Sequence, residues 1–170
     1  MRVHHRKIAL LGFLALWTQM ALAPILSIRD IAPDFVYLIF VFFVFFLSRE
    51  QVIWWSIGIG LVRDLLSNTF FGIETIALVG SVLFLGQIVL HFDREDAWVQ
   101  IWATFLSTLV GMLIFLFFVS LVQDTVSIGY THFLKSVLIA VYTSILIPIV
   151  FPILRGYFHI SSFVKQYELF

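Results

Sequence analysis

Apolar residues run along this chain in six long stretches separated by short polar breaks. The stretches cover Ile8 to Ile28, Ala32 to Leu47, Val52 to Leu66, Ile73 to Leu90, Trp98 to Val122 and Phe133 to Leu154. A bilayer core takes roughly 20 apolar residues per helix, with a range of about 17–25. The pattern therefore predicts six membrane-spanning helices. The second and third are short, and either extend into their flanks or thin the bilayer around them. Alternating segments of about ten residues, the mark of a membrane barrel, do not occur. The breaks are Arg29-Asp30, Arg49-Glu50-Gln51, Ser67 to Gly72, His91 to Asp96 and Gln123 to Thr131, and none has room for a soluble domain. Residues 1–170 read as one all-α, six-span membrane domain with a basic N-terminus at 1–7.

The first stretch follows Arg2, Arg6 and Lys7, as the apolar part of a signal peptide would. It is longer than a usual signal core and no convincing cleavage site follows, so it reads as a retained helix. Lys and Arg set the orientation of short-looped membrane proteins. With the N-terminus inside, Arg2, Arg6, Lys7, Arg49, Arg94, Arg155 and Lys165 are cytoplasmic, against Arg29, Arg63 and Lys135 at or near the outer side. That seven-to-three bias predicts both termini in the cytoplasm. Trp54, Trp55, Trp98 and Trp102 then fall at cytoplasmic helix ends, where an aromatic belt sits. Beyond the last span, Tyr157, Ile160, Phe163, Val164 and Tyr167 recur at helical spacing. Segment 156–170 is thus either an interfacial helix or a tail carrying aromatics.

Composition agrees with the spans. The chain is 62% hydrophobic and 12% charged, with a mean hydropathy of +1.08, whereas a soluble domain is about a quarter charged. Net charge is zero and no long basic run occurs, which argues against a nucleic-acid partner. Cysteine is absent, so there is no disulfide, thiol nucleophile or thiolate metal site. The five histidines, His4, His5, His91, His132 and His159, are scattered over loops and tails, which does not make a shared metal site. His-Glu-x-x-His, Gly-x-Ser-x-Gly and phosphate-cradling glycine loops are missing. The chain reads as no enzyme, with no cofactor. Solute binding within the bundle stays open as the alternative.

Six charges lie in or beside apolar stretches: Asp34, Arg63, Asp64, Glu74, Asp124 and Lys135. A charge at the centre of a membrane helix costs roughly 2.5–3.5 kcal/mol on insertion scales. In the orientation above all six gather at the outer side. Asp124, Glu74 and Lys135 read as helix-end charges that snorkel to water. Asp64 differs, because Ser56, Gly60 and Asp64 form one stripe on the third helix and small residues admit a close neighbour. Its carboxylate is expected to face the bundle. Arg63 lies about 100° away around the helix, and either snorkels or pairs with Asp34. Ala103, Ser107 and Gly111 mark a similar face on the fifth helix, as do Ser136, Ala140, Ser144 and Pro148 on the sixth. Internal packing is the simpler reading of both. The second helix has no small-residue stripe, so it is expected against lipid or a large apolar partner. Pro33-Asp34 reads as a helix start and Gly72 as a tight re-entry turn. An Asp34/Asp64 protease dyad is disfavoured, since intramembrane aspartyl proteases carry a glycine where Arg63 stands.

Two segments carry a family resemblance. Ala32-Pro33-Asp34-Phe35 opens one helix, and Gly58-Ile59-Gly60-Leu61-Val62-Arg63-Asp64-Leu65-Leu66-Ser67 is followed by Gly72. With six spans in 170 residues, this resembles the rod shape-determining MreD family. Glu74 departs from the apolar residue expected after that glycine. The resemblance implies a non-enzymatic inner-membrane subunit of the cell-elongation machinery that binds MreC. It further implies association with MreB, RodA and a class B penicillin-binding protein. The fold it implies is similar to the substrate-binding S component of energy-coupling-factor transporters, which supplies the alternative function, a solute- or vitamin-binding transporter subunit. Pro33, Asp34, Gly60, Arg63, Asp64 and Gly72 are the structural or partner-binding candidates.

Overall fold

A computed structural model describes residues 5–67, 70–92, 96–122 and 129–158. The chain forms α1 (His5–Ala21), α2 (Phe35–Phe46), α3 (Arg49–Leu66), α4 (Ile73–Ile88), α5 (Ala97–Val122), α6 (Tyr130–Ile145) and α7 (Ile147–Phe158), with one 3₁₀ turn, Val89–His91, after α4. Among the described residues the only strand-like pairing is the isolated bridge between Ile28 and Ile31. The fold is all-α.

Sequential helices pack side by side from α3 through α4 and α5 to α6, while α2 touches α1, α3, α4, α5 and α6. The centre of the bundle is therefore α2. Every residue from Val36 to Phe43, and Phe45, is buried. A helix apolar all round suits either a buried core or lipid, and here the core wins. The expectation that α2 lies against lipid or a partner is corrected. Its large side chains fill the space the other helices leave, and Phe42 stacks among Phe43, Phe46, Phe151 and Phe158.

Boundaries shift in three places. The first helix stops at Ala21, seven residues before the expected Ile28. The chain then closes a tight turn, Ile28 to Ile31, whose central residues Arg29 and Asp30 have φ of 50° and 64°. The expected sixth span is two helices bent by 50° around Leu146. Pro148 and Pro152 follow in α7, and proline cannot donate the helical backbone bond at its own position. The small-residue face of α6 ends at the same bend, since Ser136, Ala140 and Ser144 are buried but Pro148 is exposed. Among the described residues α5 is the one single helix with the full length and hydropathy of a span, α6 with α7 reaches it as one bent unit, and α2 and α4 are shorter apolar helices of 12 and 16 residues. The expectations for Asp124 and for Ile160, Phe163, Val164 and Tyr167 lie outside the described residues.

Candidate functional site

Four helices meet around Asp34, and its carboxylate is 2% exposed. Pro33 stands just before it, and Asp34 caps α2 with extended backbone (φ −101°, ψ 99°). The backbone N–H groups of Val36 and Tyr37 donate to its Oδ1 at 3.0 and 3.2 Å. Such a cap satisfies donors that the first turn leaves unpaired, and its negative charge meets the positive end of the helix dipole. The start of α2 is held from outside as well. The Asp34 N–H donates to Thr143 Oγ1 on α6 at 2.9 Å, and the Phe35 N–H donates to Gln19 Oε1 on α1 at 2.8 Å.

Arg63, near the end of α3, reaches the same carboxylate. Its Nη2 lies 2.8 Å from Asp34 Oδ2, and its Nη1 donates to Oδ1 at 3.4 Å. On its other edge, Nε lies 3.0 Å from Glu74 Oε2 on α4. The planar guanidinium presents donors on several edges, which is why one Arg can bridge two carboxylates. Its carbon sits 5.5 Å from the centroid of the Tyr37 ring, within cation–π range. Tyr37 in turn lies over Gly111 of α5, where a Cβ would collide with the ring.

Asp64 does something separate. It is 3% exposed and turns toward the start of α4. The Glu74 N–H donates to its Oδ1 at 2.9 Å, the Thr75 N–H to its Oδ2 at 3.1 Å, and Thr75 Oγ1 also donates to Oδ2. Asp64 is thus the N-terminal cap of α4, supplied by the helix before it. The residue in the cap position, Gly72, has no side chain to do this, and its φ of +98° is left-handed backbone that glycine adopts without strain. Close approach of the two helices makes this reach short enough. A Cβ on Gly60 would lie 2.8 Å from Thr75 Cα, so only glycine fits there.

The structure brings Pro33, Asp34, Gly60, Arg63, Asp64 and Gly72 into one end of the α2–α3–α4 assembly. Arg63 pairs with Asp34, the second of its two expected arrangements. Glu74 is a correction: its carboxylate is engaged by Arg63 and 13% exposed, so it is not a snorkelling helix-end charge. Lys135 is exposed on α6. The small-residue faces of α5 and α6 are internal, since Ala103, Ser107, Ser136, Ala140 and Ser144 are buried. Gln19, Tyr37, Thr75 and Thr143 are members that the sequence reading missed. Thr143 carried a signal, because it lies three residues after Ala140 on an already marked face.

No curated protein and no solved structure matches the chain. One family model does, described as rod shape-determining protein MreD, and it covers residues 4–159. Charges neutralised between packed apolar helices suit a protein of the membrane, and with that match the chain belongs to the MreD family of rod shape-determining membrane proteins.

Proposed function

We propose that the chain is a non-enzymatic subunit of the bacterial cell-elongation complex, spanning the inner membrane six times with both termini in the cytoplasm. The spans are α1 to α5 and the bent pair of α6 and α7, a bundle of the S-component kind. In this reading it binds MreC within a complex that includes MreB, RodA and a class B penicillin-binding protein, and so helps organise peptidoglycan synthesis. The observation that carries the reading is the occupancy of the charged site. Asp34 and Arg63 spend their hydrogen-bonding capacity on each other, Arg63 also on Glu74, and both aspartates on backbone N–H groups, Asp64 with the Thr75 hydroxyl besides. Groups bound in this way fix helix positions, and a fixed frame is what a partner helix needs to dock. Pro33, Asp34, Gly60, Arg63, Asp64 and Gly72 are that frame.

Depletion of the protein from a rod-shaped host tests the function. Cells should round and widen while MreC recovery on the tagged protein falls in step. Normal shape with rescue of growth by a single nutrient would refute the reading and favour a transporter subunit. Reporter fusions after Arg49 and His91 should read as cytoplasmic and a fusion after Arg29 as exported. The reverse pattern would overturn the orientation.

A further inference from the structure

The far end of the bundle carries a second feature. Arg49 and Arg63 open and nearly close α3, and 14 residues of helix put their ends about 21 Å apart. At the Arg49 end, α2, α3 and α4 enclose a pocket of about 210 Å³. Its walls include Val44, Leu47, Val52, Val82 and Gly86, and its one charged lining residue is Arg49. The volume is about seven times the roughly 30 Å³ share of one liquid water, and a buried water needs two to four polar partners. Here every lining side chain except Arg49 is apolar. Such a space suits hydrocarbon.

Arg49 gives that hydrocarbon a headgroup. It is exposed, and among the described residues its side chain makes no hydrogen bond or ion pair. Exposed Trp54 lies five residues further along α3, on another face of the helix, and an aromatic ring of this kind marks the headgroup level. An apolar slot between helices with a free guanidinium at its open side matches one amphiphile, an acyl chain ending in an anionic phosphate. We propose that this pocket binds a single anionic phospholipid, one acyl chain lying along Gly86 and the phosphate meeting Arg49. Gly86 lines the pocket, and a Cβ there would meet nothing within 4 Å. A larger side chain there enters the pocket without striking the protein.

The test uses the full-length protein in nanodiscs of equal phosphatidylglycerol and phosphatidylcholine, with retained lipids counted by native mass spectrometry. Wild type should keep one lipid, phosphatidylglycerol over phosphatidylcholine by about fivefold, the preference one basic side chain near a membrane surface supplies. Arg49→Gln should keep a lipid but lose the preference. Gly86→Leu should lose the retained lipid of either kind while its helical circular dichroism stays that of wild type. Equal retention of the two lipids by wild type overturns the proposal. So does a Gly86→Leu protein that keeps its lipid, or a photo-crosslinker at Leu83 that captures a protein helix in cells in place of lipid. If Gly86→Leu does not fold, Arg49→Gln, altered at an exposed position, decides alone: an unchanged lipid ratio refutes the site.

Discussion

Helices α2 and α5 are both strongly apolar, yet they are built in opposite senses. The buried residues of α2 are large, Tyr37, Phe40, Phe42 and Phe43 among them. The buried residues of α5 are Gln100, Ala103, Thr104, Ser107, Thr108 and Gly111, all but Gln100 small, while Trp98, Trp102, Phe117 and Leu121 face outward. In water α5 would be inverted, its aromatic residues inside and its small polar ones outside. In lipid, transfer from bilayer to protein interior gains little for a Leu or Phe, so apolarity does not sort inside from outside. Size does. Small residues let α5 approach its neighbours, and the bulk of α2 fills the space they surround. A tight meeting of the two is Tyr37 over Gly111.

The most direct test of this contrast sets a Phe of α2 against a Phe of α5. Phe42→Ala removes a ring packed against four others and should cost about 2–3 kcal/mol, chiefly through the cavity it leaves. Phe117→Ala, at a position 58% exposed, should fall within about 0.5 kcal/mol. Reversible unfolding in mixed micelles measures both, and equal losses would break the comparison. Next comes the polar start of α2. Asp34→Ala leaves Arg63 with Glu74 alone and uncaps the helix, a loss of about 3 kcal/mol by the same assay. Asp34→Asn, which keeps an acceptor for the cap, should lose less. Gly111→Ala should then cost about 1–3 kcal/mol through the clash with Tyr37. In the Tyr37→Leu background that penalty should shrink, and additivity of the two changes would show that the rings and the glycine do not meet. The smallest effects concern α4 and α6. Asp64→Ala should cost about 1 kcal/mol as a lost cap and lower MreC recovery at normal membrane level, whereas Lys135→Ala should leave recovery unchanged.

Spacing alone carried much of this into view. The Ser56-Gly60-Asp64 stripe correctly placed Asp64 inside, because residues four apart on a helix share a face whatever the tertiary fold. The Pro33-Asp34 cap was legible for the same local reason, although Pro33 precedes the cap and does not enter the first turn. The burial of α2 was not legible, since hydropathy scores lipid and protein core alike. Glu74 was misread because a charge in the first turn of a helix looks the same whether it reaches water or an Arg on the preceding helix. Gln19 entered through a backbone bond at the start of α2 and left no pattern in the sequence, whereas Thr143 entered the same way from a face of α6 that Ala140 already marked. The division of the last span between α6 and α7 was foreshadowed by Pro148 and Pro152, but periodicity across Ser144 and Pro148 masked it.

The bond from the Asp34 N–H to Thr143 spans 109 residues of chain. A ribosome adds roughly 5–20 residues per second, so Thr143 emerges about 5–22 s after Asp34. Gln19 is already made by then and Arg63 follows early, but α5, α6 and α7, which complete the wall around α2, arrive last. In the proposed six-span arrangement α2 then has no finished interior to occupy for those seconds, and its surroundings are lipid. A central helix assembled from ordinary core residues with a few polar contacts would be stranded. One made of Val, Leu, Ile and Phe with a single Tyr is at home in both places. The composition of α2 therefore answers two environments met in succession, the bilayer during synthesis and the bundle afterward.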